Sequence, residues 1–321
     1  MSSTARALAV TVADVIEVTP LVKRFEFVST DGAPLPPFSG GAHVVVELPD
    51  GDHLRRNPYS LMSSPRDLSR YAISVRRDDG GRGGSRYLHE QVVPGMAMTI
   101  SAPVNLFALD LRARKHLMIA GGIGITPFIA QIHQLSGGGA PFELHYKARS
   151  APLAAYMDDL AARHPGAVHA CCSDRGEDLD LDTLLTTQPL GTHLYVCGPE
   201  RLIAGVTARA AALGWPARHV HVEHFAAPPP GLPFAVRLAA SNLSITVRGE
   251  QSLLEAIEEA GVDAPYLCRG GACGQCETAV VACDGTLHHH DHWLTDAQRE
   301  TGDRIMPCVS RFTGRLLTLD R

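Results

Sequence analysis

The chain has 321 residues, of which 45% are hydrophobic and 20% are charged, and it carries a formal net charge of −5. This length predicts two or three globular domains, and the acidic balance argues against nucleic acid as a partner. The most apolar stretch, residues 117–132, is broken by glycines and a proline and is too short to span a bilayer, so we expect no membrane partner.

The first part of the chain, residues 1–112, has the pattern of an antiparallel β-barrel or sandwich. Its apolar runs at 21–28, 42–48 and 71–75 are short, alternate in part and are separated by Pro, Gly and Asp. Such spacing is typical of half-buried strands in an all-β domain.

A glycine-rich segment lies late in this first part. Gly83, Gly84 and Ser85 precede a short helix predicted at 86–89, and Arg76 ends the strand before them. Backbone N–H groups at a helix N-terminus bind anions, and an arginine adds charge-assisted hydrogen bonds. A flexible hairpin tip with a solvated arginine is the alternative.

The second part, residues 113–226, alternates apolar strands with helices. Strands are expected at 116–120, 142–147 and 193–197, and helices at 127–135 and 200–213. This βαβ pattern predicts an α/β domain with a parallel sheet.

Two turns in this second part follow predicted strands and present glycine and proline at a helix start. In an open parallel sheet, ligands bind at the carboxyl ends of the strands, where both turns fall. Backbone N–H groups in such a turn can approach a pyrophosphate, although a plain βα turn would be the better interpretation of either turn alone. The residues concerned are Gly121, Gly122, Gly124, Thr126 and Pro127 in the first turn and Cys197, Gly198 and Pro199 in the second.

Four prolines within residues 228–233 predict an extended linker at 227–234, because proline can continue neither a helix nor a central strand. The third part, residues 235–321, follows it. Here strands are expected at 234–238 and 244–247, and a helix over 252–260 with Ser252 as its N-cap.

Cysteine spacing is the strongest chemical signal in the chain. Cys268, Cys273, Cys276 and Cys308 follow the pattern C-x4-C-x2-C…C, which is the ligand spacing of a plant-type [2Fe–2S] cluster. Structural zinc favours two separated ligand pairs instead. Glycines among and beside these cysteines let the backbone fold around a metal and aim N–H groups at the sulfur atoms.

The remaining cysteines and histidines predict no further site. Cys283 falls outside the spacing and is expected to be a packed thiol, and the histidine-rich run at 288–292 is expected to be a surface loop. Eight cysteines in 321 residues, without the apolar core of a secretory signal at the N-terminus, favour a reducing, cytoplasmic location over a disulfide framework.

The combination of motifs resembles a known family. The two glycine turns, residues 121–127 and 197–199, look like the nicotinamide-binding motifs of the ferredoxin–NADP reductase superfamily. With the cysteine motif placed C-terminally, the whole chain resembles the phthalate dioxygenase reductase family. The resemblance implies an FMN-binding barrel, an NADH-binding α/β domain and a β-grasp ferredoxin domain of α+β type, in this order.

The resemblance also implies roles for single residues in the barrel. The family's Arg-x-Tyr-Ser motif is matched at Tyr59, which would lie against the flavin ring, and at Ser60, whose hydroxyl would sit near the reactive N5 atom. Asn57 stands where the family has arginine, so the flavin phosphate would be bound by Arg56 or from elsewhere. Gly83, Gly84, Ser85 and Arg76 would complete that phosphate site.

In the second domain the resemblance implies that Phe225 covers the flavin until nicotinamide displaces it, and that Cys197 positions the nicotinamide. A core phenylalanine is the alternative for Phe225. Asp174 would repel the 2′-phosphate of NADPH whereas Arg175 would attract it. The residues alone therefore leave the nucleotide open, and the resemblance favours NADH.

The resulting prediction is an enzyme that moves electrons from NADH through FMN and the [2Fe–2S] cluster to a separate protein. The resemblance implies that this partner is a Rieske-type terminal oxygenase acting on an aromatic acid, and that the reductase is a monomer. One alternative is a reductase for another acceptor, such as a carnitine-type monooxygenase. A non-catalytic iron–sulfur module that senses redox state is the other.

Overall fold

A computed structural model describes residues 7–225 and 229–321. Three sheets account for the strands, and they fall within the predicted ranges 1–112, 113–226 and 235–321, apart from a first residue at position 234. Ala227 and Pro228, with which the predicted linker begins, lie outside the described residues, as does the N-terminal segment 1–6. No helix in the described ranges combines the length and apolar character that crossing a membrane requires.

The first sheet is antiparallel throughout and forms the predicted barrel. Alternating apolar residues such as Val10, Phe25, Val44 and Ile73 fill its interior, as the two-residue period of strands requires. Helix α1, Gly84–Gln91, caps one end and buries Leu88. The strands are β1 Ala7–Thr19, β2 Val22–Ser29, β3 Ala42–Asp50, β4 His53–Ser60, β5 Tyr71–Arg76, β6 Ala97–Ser101 and β7 Val104–Asn105.

The second sheet is parallel and has five strands in the order β10-β9-β8-β11-β12. These strands are β8 Lys115–Gly121, β9 Phe142–Ala148, β10 Val168–Cys172, β11 Thr192–Cys197 and β12 Val220–Glu223. The helices are α2 Thr126–Gly138, α3 Met157–Arg163, α4 Leu181–Thr186 and α5 Glu200–Ala212. Because the chain runs outward from β8 on one side and returns at β11, the strand order reverses between these two strands, where ligands bind in such sheets.

The third sheet, in the order β14-β13-β17-β15-β16, has the mixed pairing of a β-grasp domain, with β13 and β17 parallel. Ser252 and Glu255 form a capping box at the start of helix α6, as the predicted N-cap requires. The elements are β13 Phe234–Leu238, β14 Leu243–Val247, α6 Leu253–Glu259, β15 Thr278–His288, α7 Asp296–Thr301, β16 Arg304–Ile305 and β17 Arg311–Leu319.

The prediction that Cys283 is a packed thiol is wrong, because its side chain is exposed. Residues 281–286 of β15 are all exposed. They form the middle of β15, where only β17 pairs with it and the register shifts twice, between Val280 and Ala282 and between Cys283 and Gly285. Such irregularities interrupt the alternation that buries every second residue of a strand.

Candidate active site

One cavity of about 600 Å³ lies where the three sheets meet. Because side chains from all three domains face the same space, a group bound there would contact each of them. The walls come from β4, the glycine loop before α1, the turn after β8, the end of β12 and the cysteine loop. Representative lining residues are Tyr59, Ser60, Gly83, Thr126, Phe225 and Cys268.

The barrel wall of this cavity contains a buried hydroxyl that is free to bind a ligand. Ser60 is 5% exposed, and its Oγ atom has no hydrogen-bond partner among the described residues. Burying such a group without a partner is costly. Beside it, the Asn57 amide donates to the Tyr59 hydroxyl at 3.3 Å, and burial raises the pKa of Tyr59 to about 12. The Ser60 hydroxyl therefore fits a bound heterocycle with hydrogen-bonding atoms.

The glycine loop before α1, where an anion cradle is predicted, packs against β4. Gly83 precedes the helix with a φ of 93°, a conformation that glycine adopts without strain. A Cβ atom on Gly84 would lie 2.3 Å from the Asn57 amide nitrogen, so only glycine fits against β4. Ser85 closes the loop, because its hydroxyl accepts the N–H of Asp78 at 3.0 Å.

The arginines beside the cradle differ in their surroundings. Arg56 lines the cavity, but its guanidinium donates to Glu47 at 3.0 Å and to Glu258 at 3.4 Å. Arg55 is 6% exposed, and its guanidinium lies 3.2 Å from the position that a Gly83 Cβ would take. Alternation along β4 puts Arg55 on the side of Asn57 and Tyr59. Because every second residue of a strand faces the same side, the sequence already indicated Arg55, two residues before Asn57, as the arginine on this side of β4.

A second cavity, of about 1050 Å³, lies along the carboxyl edge of the parallel sheet. Its floor consists of the two predicted glycine turns, which touch each other. A Cβ atom on Gly124 would lie 2.4 Å from the Cys197 carbonyl oxygen, and one on Gly198 would lie 2.9 Å from Gly121. Glycine therefore lets the two turns pack closely on each other, while nothing lies within 4 Å of the position that a Gly122 Cβ would take. Both turns line the cavity, which lies where dinucleotides bind in such sheets.

The other residues of the first turn support this floor. Gly122 has a φ of 54°, and its carbonyl accepts the Tyr146 hydroxyl at 3.0 Å. Thr126 donates to the Ile123 carbonyl at 3.0 Å, and Pro127 lies in the first turn of α2, where its missing N–H costs nothing.

Phe225 stands between the two cavities. It lines both of them together with Ile123 and Arg76, and it is 47% exposed, so it is not a core residue. Cys197 is fully buried and lines neither cavity with its side chain, although Pro199 lines the larger one. Burial raises the pKa of the Cys197 thiol, so this residue is a neutral thiol rather than an acid or base.

Sequence reasoning missed a carboxyl group at the same place. Glu223 ends β12 two residues before Phe225 and lines the smaller cavity. Its Oε2 atom is shielded from solvent and has no hydrogen-bond partner among the described residues. Burial of this group raises the pKa of Glu223 to about 8, and negative charge on Cys268 acts in the same direction. An acidic residue ending an otherwise apolar strand at a carboxyl sheet edge was the available signal.

The four predicted cysteine ligands come together in the third domain. The sulfur atoms of Cys276 and Cys308 are 3.3 Å apart, and the Gly270 N–H donates to the Cys268 sulfur at 3.3 Å. Hydrogen bonding from Cys273, followed by backbone N–H groups, lowers the pKa of Cys268 to about 5. Thiolates are the form that binds iron, so this donor set fits a [2Fe–2S] cluster.

Glycines shape the loop that carries these ligands. Gly271 and Gly274 have φ values of 73° and 75°, respectively, and a Cβ atom on Gly274 would lie 2.3 Å from the Trp293 ring. The loop from Cys268 to Ala272 lines the cavity that also contains Ser60. A cluster in this loop would therefore lie beside a group bound in the barrel.

Comparison with known proteins agrees with this arrangement. The sequence profile of the 2Fe-2S iron-sulfur cluster binding domain matches residues 236–313. The profile described as "Dimethylamine monooxygenase subunit DmmA-like, N-terminal domain" matches residues 98–220. The solved structure of phthalate dioxygenase reductase, described as modular for electron transfer from pyridine nucleotides to [2Fe–2S], superposes with a TM-score of 0.89 at 35% identity and covers 98% of both chains. The chain belongs to the phthalate dioxygenase reductase family.

Two further relatives of this reductase are similar over nearly their whole length. The heme-dependent oxidative N-demethylase beta subunit of Ectopseudomonas mendocina is 46% identical, covering 98% of each chain. The carnitine monooxygenase reductase subunit of Escherichia coli is 45% identical, covering 97% of each. The chain is thus an oxidoreductase, the reductase component of an oxygenase system, and its third domain is a [2Fe–2S] cluster binding domain.

FMN, when bound, takes up the two electrons of a hydride together and releases them one at a time, which lets a hydride donor supply a one-electron cluster. The protein's residues provide position and exclusion of water. Ser60 offers a hydroxyl inside the barrel, the glycine turns line the larger cavity, and the cysteine loop borders the smaller cavity that Ser60 also lines.

Proposed function

We propose that this reductase delivers electrons from NADH to a Rieske-type terminal oxygenase. The observation that carries the proposal is the cavity of about 600 Å³ that is lined at once by Ser60, Phe225 and the cysteine loop. It joins the nicotinamide groove to the cluster loop through the barrel, so hydride uptake and single-electron release can occur within one space.

In this proposal the predicted site residues act as follows. Tyr59 and Ser60 contact the flavin ring, and Gly83, Gly84 and Ser85 hold its phosphate. Arg55 supplies positive charge beside the cradle, because the Arg56 guanidinium is held by Glu47 and Glu258. Phe225 covers the flavin until nicotinamide replaces it, and Cys197 supports the turn beneath the nicotinamide.

Two classes of compound are candidates for the substrate of the partner oxygenase. An aromatic acid remains the prediction from the family resemblance, and phthalate dioxygenase reductase is the related solved structure. The relatives at 45–46% identity instead have names that refer to N-demethylation and to carnitine. Their higher identity favours a second candidate, in which a haem-containing or Rieske-type partner oxidises an N-methylated amine.

We also propose that the reductase is a monomer in the cytoplasm. The cluster needs four reduced thiols, which a reducing compartment preserves. Size-exclusion chromatography with light scattering tests the monomer, and cell fractionation tests the location.

Reconstitution tests the function. The purified holoenzyme, with NADH, would be combined in turn with an aromatic-acid Rieske oxygenase, a carnitine-type monooxygenase and a haem-dependent N-demethylase subunit. Substrate-dependent NADH consumption matched by product with the first partner supports the proposal. Coupling only with an amine-oxidising partner supports the second candidate, and a holoenzyme that passes electrons to none of the three would contradict both.

A further inference from the structure

We propose that Glu258 is a positioning residue for electron passage from the flavin to the cluster. Its carboxylate bridges the flavin barrel and the loop that holds a cluster ligand. This inference depends on the reductase activity of the family and is independent of the partner's identity.

Helix α6 of the ferredoxin domain presents a row of carboxylates to the barrel. Glu255, Glu258 and Glu259 stand at positions i, i+3 and i+4, so they lie on one face of the helix. Glu255 accepts the backbone N–H of Arg56 at 3.1 Å and the Arg82 guanidinium at 2.8 Å. These contacts seat the helix on strand β4 and on the glycine loop of the phosphate cradle.

Glu258 differs from its neighbours because its side chain joins the barrel to the cysteine loop. One carboxylate oxygen accepts from Arg56 on β4 at 3.4 Å. The other accepts from Arg269, which lies between the cluster ligand Cys268 and Gly270. A single side chain thus links the barrel wall to the first residue after a cluster ligand.

The bridge is largely buried, which makes it sensitive to the loss of one partner. The side chains of Arg269 and Glu258 are 3% and 17% exposed. Removing one member of a buried ion pair leaves the other charge without compensation, a larger penalty than losing an exposed pair. Arg269 also lies over the Tyr266 ring at 3.7 Å and has a φ of 51°, a left-handed conformation that residues other than glycine adopt infrequently.

The position of this loop determines where the cluster stands relative to the flavin. Cys268 and Arg269 both line the smaller cavity. In the step concerned, one electron leaves the reduced flavin and one iron of the cluster changes from Fe(III) to Fe(II). The step needs close approach of the two groups, and hydride transfer from NADH does not involve the loop.

The test is Glu258→Gln in the holoenzyme, mixed anaerobically with NADH in a stopped-flow spectrophotometer. Bleaching of the flavin band should keep its wild-type rate. Bleaching of the cluster band should slow about tenfold. This factor corresponds to a loss of about 1.4 kcal/mol in the free energy that holds the cysteine loop against the barrel. Equal rates of cluster reduction in wild type and Glu258→Gln would overturn the proposal.

Glu259→Gln is the matched control. Its carboxylate also crosses the domain boundary, but it contacts His53 at 3.2 Å and Arg248 at 3.3 Å and is 30% exposed. We expect less than about a twofold effect, as for other exposed pairs. If cluster reduction slowed equally in Glu259→Gln and Glu258→Gln, its rate would depend on any carboxylate at the domain boundary. That result would refute the specific role of Glu258.

Hydrogen exchange distinguishes a loosened contact between helix α6 and the barrel from unfolding of the ferredoxin domain. Hydrogen exchange should become faster in Glu258→Gln at the Arg56 amide, whose N–H is bonded to Glu255, while the core of the ferredoxin sheet keeps its protection. Unchanged exchange at Arg56 would contradict the proposal.

If Glu258→Gln fails to retain its iron, Glu258→Asp provides the test, because it keeps the negative charge beside Arg269 but shortens the side chain that also reaches Arg56. Cluster reduction should slow in this variant while flavin reduction keeps its rate. A cluster phase as fast as that of the wild type would overturn the inference.

Discussion

The sulfur atoms of Cys276 and Cys308 lie 3.3 Å apart, although 32 positions separate them in the chain. Cys276 belongs to the glycine-rich loop, and Cys308 comes just before strand β17. The β-grasp sheet brings the two segments together, and both side chains are buried. The cluster site is therefore closed only when the whole third domain has folded.

Cys308→Ser should remove the cluster while leaving the flavin in place. A serine hydroxyl is a poor ligand for iron, and three remaining thiolates do not hold two irons firmly. Iron content should fall from about two per chain to near zero, with flavin absorbance and NADH-dependent flavin reduction retained. Cys283→Ser is the control, since Cys283 is exposed and outside the site, and it should keep its iron.

Gly84→Ala should weaken FMN binding. The added Cβ atom would lie 2.3 Å from the Asn57 amide nitrogen, so either the Asn57 side chain or the cradle must shift. Overpacking of this kind costs about 1–3 kcal/mol, which corresponds to a rise in Kd of about five- to 150-fold. The Kd is measured by fluorescence titration of flavin-free protein with FMN. Gly138→Ala, where nothing lies within 4 Å, should leave the Kd unchanged.

Phe225→Ala should tighten the binding of NAD⁺. If the ring must leave the flavin before nicotinamide can stack there, the wild type loses affinity to that competition. Aromatic contacts of this type contribute about 0.5–1.5 kcal/mol, so the inhibition constant for NAD⁺ should fall by about three- to tenfold. An unchanged or larger constant would show that Phe225 does not occupy the nicotinamide position.

Glu223→Gln should flatten the dependence of stability on pH. Burial raises the pKa of Glu223 from its ordinary value of 4.5 to about 8, so between these values the native state keeps a proton that the unfolded chain has released. Native stability therefore decreases as pH rises through this window, by up to about 1.4 kcal/mol per unit from this group. Urea unfolding midpoints at pH 5.5 to 8 should decline more steeply in wild type than in Glu223→Gln.

The control for that experiment is Glu200→Gln, which removes a carboxylate from the same domain without changing the shape of the side chain. Glu200 has an exposed side chain, so removing its charge changes no buried group. This variant should keep the pH slope of the wild type. A slope that persists undiminished in Glu223→Gln would refute the assignment of that slope to Glu223.

Much of the fold could be read from local patterns. The two-residue and 3.6-residue apolar periods located the helices and strands named from the sequence to within a few residues, and Ser252 was correctly placed as the N-cap of α6. Exposure in the middle of β15 could not be foreseen in this way. It coincides with register shifts between β15 and β17, which depend on the pairing of two strands distant in sequence.

Spacing along the chain was enough to predict the chemistry of the cluster ligands and of the glycine turns. The positions of Cys268, Cys273 and Cys276 and the two turns are local patterns, because a metal or a phosphate must be held by neighbouring backbone. The folded arrangement was needed to show which arginine borders the cradle, that the Glu223 carboxyl is shielded from solvent and that Glu258 bridges Arg56 to Arg269. These features depend on the direction of side chains from strands and on contacts between residues as far as about 200 positions apart, which no local pattern encodes.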